Sequence, residues 1–245
     1  MNTQLAESRV PGFANPVRDA QHVFRAVLEA FARPTTPQRV DVEIQTPEPL
    51  GMTAGAVILA LCDEQTPVWL DHYLRESPEV GAWIAFHTGA RIVDRAGDAL
   101  FVIASSPSTA PRLADLLLGT DEEPHRSATL VIGASAASDV GATGMTRSPG
   151  IAALVATGPG IQGAVDWDGA GLPDGFVSQW QQNRALFPRG VDIVLAADSV
   201  VRGLPRTTAL IVAGKSTGGN ERSGNERTGS EHVGHTADTT EKRSA

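Results

Sequence analysis

The chain has 245 residues, 41% of them hydrophobic and 20% charged, with a formal net charge of −8 at pH 7. That length suits one large α/β domain or two small ones and is enough to bury a substantial core. The acidic balance excludes a nucleic-acid binder with a basic face, and the single cysteine, Cys62, excludes a disulfide framework or a Cys-only metal site.

The longest uninterrupted apolar stretch, Ala54 to Cys62 with Gly55 inside it, is too short to span a bilayer. Met1 to Pro16 carries Glu7, Arg9 and two prolines and has no apolar signal segment. A cytoplasmic protein without membrane contact is expected.

Asn15-Pro16 reads as an N-cap followed by proline at the first helical position. Val17, Ala20, Phe24, Val27, Leu28 and Phe31 then recur at helical spacing on one face, until Pro34 ends the helix. Gln38 to Thr46 alternates Val40, Val42 and Ile44 with polar residues, as a half-buried strand does. Thr53 to Cys62 is apolar all round, and its alanines favour a buried helix over a strand. Ser77-Pro78 opens a helix through Phe86, and Ser108 to Leu118 reads as another with Pro111 in its first turn.

Ala99–Ala104, Ala128–Ile132, Ile151–Ala156, Val191–Leu195 and Thr208–Val212 are apolar runs of strand length. Asp174 is placed as the cap of a helix carrying Phe176, Val177, Trp180 and Leu186, which Pro188 terminates. Helices and strands alternate, which points to an α/β layered domain with a largely covered sheet.

The domain is expected to span residues 1–213. From Gly214 to Ala245 the only large apolar residue is Val233, so the segment cannot offset the entropy of ordering and reads as a disordered, low-complexity polar tail. Its five basic and five acidic residues cancel, which leaves the whole net charge on the folded part. Both lysines, Lys215 and Lys242, lie in the tail. A lysine-free domain cannot form a Schiff base with pyridoxal phosphate or a carbonyl substrate, and it has no P-loop lysine.

Several motifs fail on context. Gly158, Gly160 and Gly163 match a GxGxxG fingerprint, but turn chemistry follows instead of a helix, and Pro159 removes a backbone donor. Gly214-Lys215-Ser216 resembles the end of a P-loop whose opening glycine is replaced by Ala209. The six histidines, His22, His72, His87, His125, His232 and His235, include no pair at zincin or zinc-finger spacing. Cys62, inside an apolar run, reads as a buried small hydrophobe. No metal site is expected.

Six segments taken together are more specific. GFANPVRDAQHVFRAVLEAFARP (12–34), LCDEQTPVWL (61–70), FHTGA (86–90), GPGI (158–161), FPRGVD (187–192) and LPRT (204–207) follow in this order. They resemble the PhnH family, the H subunit of the bacterial carbon–phosphorus lyase core complex, from about Gly12 to Val212. The resemblance implies a three-layer α/β/α domain with a mixed sheet, similar to the pyridoxal-phosphate-dependent transferases but without the cofactor. It also implies a homodimer that joins the G, I and J subunits. With the separate L protein, that assembly replaces the base of ATP by an alkylphosphonate, giving a ribose-1-alkylphosphonate 5-triphosphate. In such a system this chain resembles an accessory subunit, with no cofactor and no chemistry of its own.

Within those segments Arg189 and Arg206 are candidate clamps for phosphate or carboxylate, since guanidinium offers bidentate donors. The plainer alternative is an Arg189–Asp192 ion pair, with Arg206 pinning a strand end. Asp63 is a further ligand-binding candidate, set against the anchoring of the Thr66-Pro67 turn by side-chain hydrogen bonds. His87 is a candidate proton donor near a phosphate, set against a satisfied turn histidine. Three functions stand: an accessory subunit acting through its surfaces, a subunit with its own nucleotide or phosphonate pocket, and an unrelated cytoplasmic α/β protein.

Overall fold

A computed structural model describes residues 10–133 and 153–213. Its centre is a six-stranded mixed sheet in the order β1-β8-β7-β4-β3-β2, from Gln38–Arg39 (β1), Val68–Leu70 (β2), Phe101–Ala104 (β3), Thr129–Gly133 (β4), Asp192–Ala197 (β7) and Val200–Leu204 (β8). Strands β2, β3, β4 and β7 run parallel, while β8 and β1 complete one edge antiparallel. Leu154–Thr157 (β5), Val165–Trp167 (β6) and Ala209–Val212 (β9) form a separate antiparallel sheet in the order β6-β5-β9.

The period-two geometry of the strands divides the core in two. Ile103, Val131 and Val194 face one apolar cluster with Pro16–Ala32 (α1), Met52–Leu61 (α2) and Pro78–Thr88 (α4). Their neighbours Val102, Leu130 and Ile193 face the other, with Phe176–Ala185 (α5) and the small sheet. Both faces of the main sheet are therefore covered, as its near-continuous apolar strands require. The short helix His72–Arg75 (α3) follows β2 directly.

α1 begins where its sequence says: the Asn15 side chain accepts from the Arg18 N–H at 3.3 Å, and proline follows the cap. Its packing differs from the face expected. Val23, Ala26, Val27 and Ala30 are the buried residues, whereas Val17, Phe24 and Leu28 are 72%, 49% and 56% exposed. The small buried face allows close approach to β8. A Cβ built on Gly203 would lie 2.6 Å from the Ala30 backbone, so only glycine fits there.

Other expectations are corrected. Only Gln38–Arg39 of the expected 38–46 strand forms a ladder with β8; Val40 and Ile44 point inward as expected, but beyond β1 the segment makes isolated backbone contacts, the Val40 N–H donating to the Ser199 carbonyl at 2.7 Å and a bridge from Ile44 to Phe13. Ser108–Leu118 is not an α-helix. Proline at 107 and 111 restricts it to short 3-10 turns at Pro107–Thr109 and Leu113–Asp115. The cap of α5 is Gly175, in a left-handed conformation, rather than Asp174. Strands β2, β6 and β8 and helix α3 are additional elements. The tail lies outside the described residues, as does the start of the expected 151–156 strand.

Candidate functional site

Open α/β sheets bind ligands beyond the carboxyl ends of their strands, where the strand order reverses. Here the parallel strands follow one another across the sheet in chain order, β2 to β3 to β4 to β7, so no reversal opens a crevice between them. The carboxyl edge nevertheless carries two constructed features.

The first is Asp71, directly after β2 and only 1% exposed. Its carboxylate accepts from the Leu74 N–H at 2.9 Å, capping α3, and from the Ser105 N–H and Oγ, both at 2.7 Å. The Thr109 hydroxyl donates to it as well. Burial pushes this carboxyl toward its neutral form, but the bonds from Ser105, Thr109 and Leu74 outweigh burial and hold it below the usual carboxylate range. The group is saturated by donors from α3 and from the loop after β3, and works as a tie between β2, α3 and that loop.

The second is a cleft of about 420 Å³ between the start of α2, the end of β7 and the loop at residues 44–50. Asp198 and Ser199 form the two-residue hairpin turn between β7 and β8, with φ of 46° and 59°. Positive φ at both positions suits the tight hairpin twist. The turn is fixed to α2 by the Ser199 N–H donating to Thr53 Oγ1 at 3.0 Å. Among the described residues, the charged ones that line the cleft are Glu48 and Asp198, and none is basic. Phosphate esters and phosphonates would meet like charge there. A smaller cleft of about 300 Å³ runs beside Leu130 and the start of α5, with Arg112 and Asp174 among its lining residues.

The four candidates named from the sequence line neither cleft and do not converge. Arg206 and Arg189 share one corner at the amino ends of the parallel strands. The Arg206 Nε and Nη2 donate to the two carboxylate oxygens of Asp192 at 3.1 and 2.5 Å, and its backbone N–H donates to Asp192 at 2.7 Å. Its Nη1 donates to the Pro124 and Pro188 carbonyls at 3.1 and 3.2 Å. One guanidinium thus joins β7, the turn before it and the turn before β4.

Arg189 does not pair with Asp192. Its Nε lies 3.1 Å from Asp121 Oδ1 in an exposed ion pair whose angle is not that of a hydrogen bond. The turn that carries it is held by the buried Asn183, which bonds both the N–H and the C=O of Val191 at 2.7 and 2.9 Å.

Asp63 accepts from the Gln65 N–H at 3.0 Å and the Thr66 hydroxyl at 2.8 Å, anchoring the turn before β2. His87 is in the last turn of α4 rather than in a turn between elements. Its Nε2 lies 3.2 Å from the Val10 carbonyl, which also accepts from Trp83 Nε1 at 3.0 Å, so the two rings hold the incoming chain. Gly158, Gly160 and Gly163 all have positive φ, as the turn reading of GPGIQG requires. Among the described residues no cluster of three or more His, Cys, Asp or Glu side chains is arranged to hold a metal ion, and no helix is long and apolar enough to cross a membrane.

Asp71 and Asn183 were not singled out from the sequence. The donors to Asp71 include residues 34 and 38 positions away, so no local spacing marks it. The signal available at Asn183 was a polar residue on the inward side of a helix that also carries Trp180.

Comparison with known proteins agrees with the motif order. Residues 11–211 match the model of the family described as bacterial phosphonate metabolism protein (PhnH). Over 198 residues the chain is 42% identical to the alpha-D-ribose 1-methylphosphonate 5-triphosphate synthase subunit PhnH of Rhizobium meliloti (strain 1021). That alignment covers 81% of this chain and 93% of the relative. With motifs that are built into its turns and strand ends, and a match that spans nearly all of its described fold, the chain belongs to the PhnH family.

Proposed function

We propose that this chain is an accessory subunit of a ribose 1-methylphosphonate 5-triphosphate synthase, acting in the catabolism of organic phosphonates. The observation that carries this reading is the 42% identity to a named subunit of that synthase along 93% of its length. On this reading the chain works in the cytoplasm, forms a homodimer, and joins the G, I and J subunits. ATP and alkylphosphonate reach it only through the complex. A scaffold like the pyridoxal-phosphate-dependent transferases fits the family resemblance, and the lysine-free sequence before residue 214 leaves that scaffold no group for an aldimine.

The placement of the motif side chains supports assembly over chemistry. Arg206 and Asp63 are engaged in bonds internal to the fold, and the larger cleft presents carboxylates to any anionic substrate. Deleting the gene in cells that use methylphosphonate as sole phosphorus source tests the proposal. Growth should be lost and should return with the full chain. Undiminished growth on methylphosphonate without the gene would overturn it.

A further inference from the structure

α1 carries a second, mainly apolar stripe that the described residues leave largely uncovered. Val17, Gln21, Phe24 and Leu28 are exposed and spaced four, three and four residues apart, the seam spacing of a helix that pairs with another helix, while Phe31, three residues further on, is half-buried against the core. The fold instead buries the adjacent face through Val23 and Ala30. Gln21, Phe24 and Arg25, central to the family-like part of this helix, are all exposed.

Arg18 and Arg25 follow Val17 and Phe24 and so flank one side of the seam, the place where charged residues select a pairing helix. Both are exposed, and neither makes an ion pair among the described residues. This basic flank stands out on a chain whose net charge is −8. A two-fold antiparallel pairing of α1 with its own copy would bring the two arginine flanks together. A parallel pairing would set them against Ala20 and Val27. Neither offers a carboxylate. The polar tail holds Val233 as its one large apolar residue and cannot fill such a seam.

We propose that the outer stripe of α1 docks an amphipathic helix of another synthase subunit, one with an apolar seam flanked by Asp or Glu on the side that meets Arg18 and Arg25. This rests on the accessory-subunit reading. Burial of Phe24 and Leu28 would supply the affinity, while the arginine flank would set partner and register.

The test co-expresses the full chain with the G, I and J subunits and carries a photo-cross-linking residue in place of Leu28. The expected product joins position 28 to a helical segment of another subunit with acidic flanking residues. Phe24→Ser with Leu28→Ser should weaken binding roughly ten-fold or more. Arg18→Glu with Arg25→Glu should weaken it at low salt, with the difference fading at high salt. All of these side chains are exposed, so the melting temperature should stay at the wild-type value. Cross-linking to a second copy, to the chain itself, or to nothing in a complex that still assembles would overturn the docking surface and leave the subunit reading standing. Failure of the wild-type chain to join the other subunits would overturn both.

Discussion

Replacing Arg206 by alanine removes one guanidinium and with it four hydrogen bonds, two to Asp192 and one each to the Pro124 and Pro188 carbonyls. Charge-assisted bonds contribute about 1.5–3 kcal/mol each when lost singly, but bonds that share one side chain do not add. The Asp192 side chain is 23% exposed and keeps its bond from the residue-206 backbone, so water can solvate the carboxylate left behind. The expected cost is therefore about 2–4 kcal/mol, below the loss on breaking a fully buried pair. In a domain of this size that lowers the melting temperature by roughly 5–15 °C.

Arg189→Ala breaks an exposed pair and should cost no more than about 1 kcal/mol. Thermal and urea melts of both variants, with recovery of the synthase complex measured in parallel, separate these outcomes. If Arg206→Ala keeps wild-type stability and assembly while flux through the pathway falls, the residue is a ligand clamp and the structural reasoning is wrong.

Asp71→Asn should destabilise the fold by about 2–4 kcal/mol, because an amide N–H₂ would face donors. The folded carboxyl titrates below its unfolded value near about 3.9. Its contribution is therefore complete above that pH and is lost as the pH falls through the folded value; the wild-type advantage in melts should hold from neutrality to about pH 5 and shrink below about pH 4. Cys62 is pushed up to about 12, chiefly by burial and secondarily by Asp63. Its thiol should resist iodoacetamide in the native protein at pH 8 and react once the chain is unfolded in urea, and prompt native alkylation would contradict that burial. Removing residues 216–245 should leave the melting temperature unchanged, because the segment has no apolar anchors; a clear drop would reveal an ordered element there.

Local chemistry was the legible part of this molecule. Asn15-Pro16 and Pro34 bound α1, and the Asp63 turn closes over three residues, so both could be read from adjacent positions. The inward face of α1 could not, because the helix carries two apolar stripes. The one with the larger side chains is outside, and the smaller one is inside because Gly203 lets β8 approach.

Short strands were missed for a similar reason. β8 contains Arg202 and Gly203 and is specified by pairing with β7 across the Asp198-Ser199 turn, not by its own composition. At the site, the residue types were legible but the partners were not. The Arg189–Asp192 pair offered as an alternative from the sequence does not form: Asp192 takes Arg206, 14 residues on, and Arg189, three residues before it, lies against Asp121. Sequence proximity favoured the near pair, whereas the antiparallel return of β8 delivers the far one.

Reconstitution separates a chain that supports the synthase through assembly from one with turnover of its own. Purified chain, the G, I and J subunits and the L protein would be combined with ATP and methylphosphonate, and adenine release measured with each component omitted in turn. An accessory subunit should give no adenine alone, and complex-dependent release should be lost when it is left out. Adenine release by the isolated chain, or full release without it, would overturn the accessory-subunit reading.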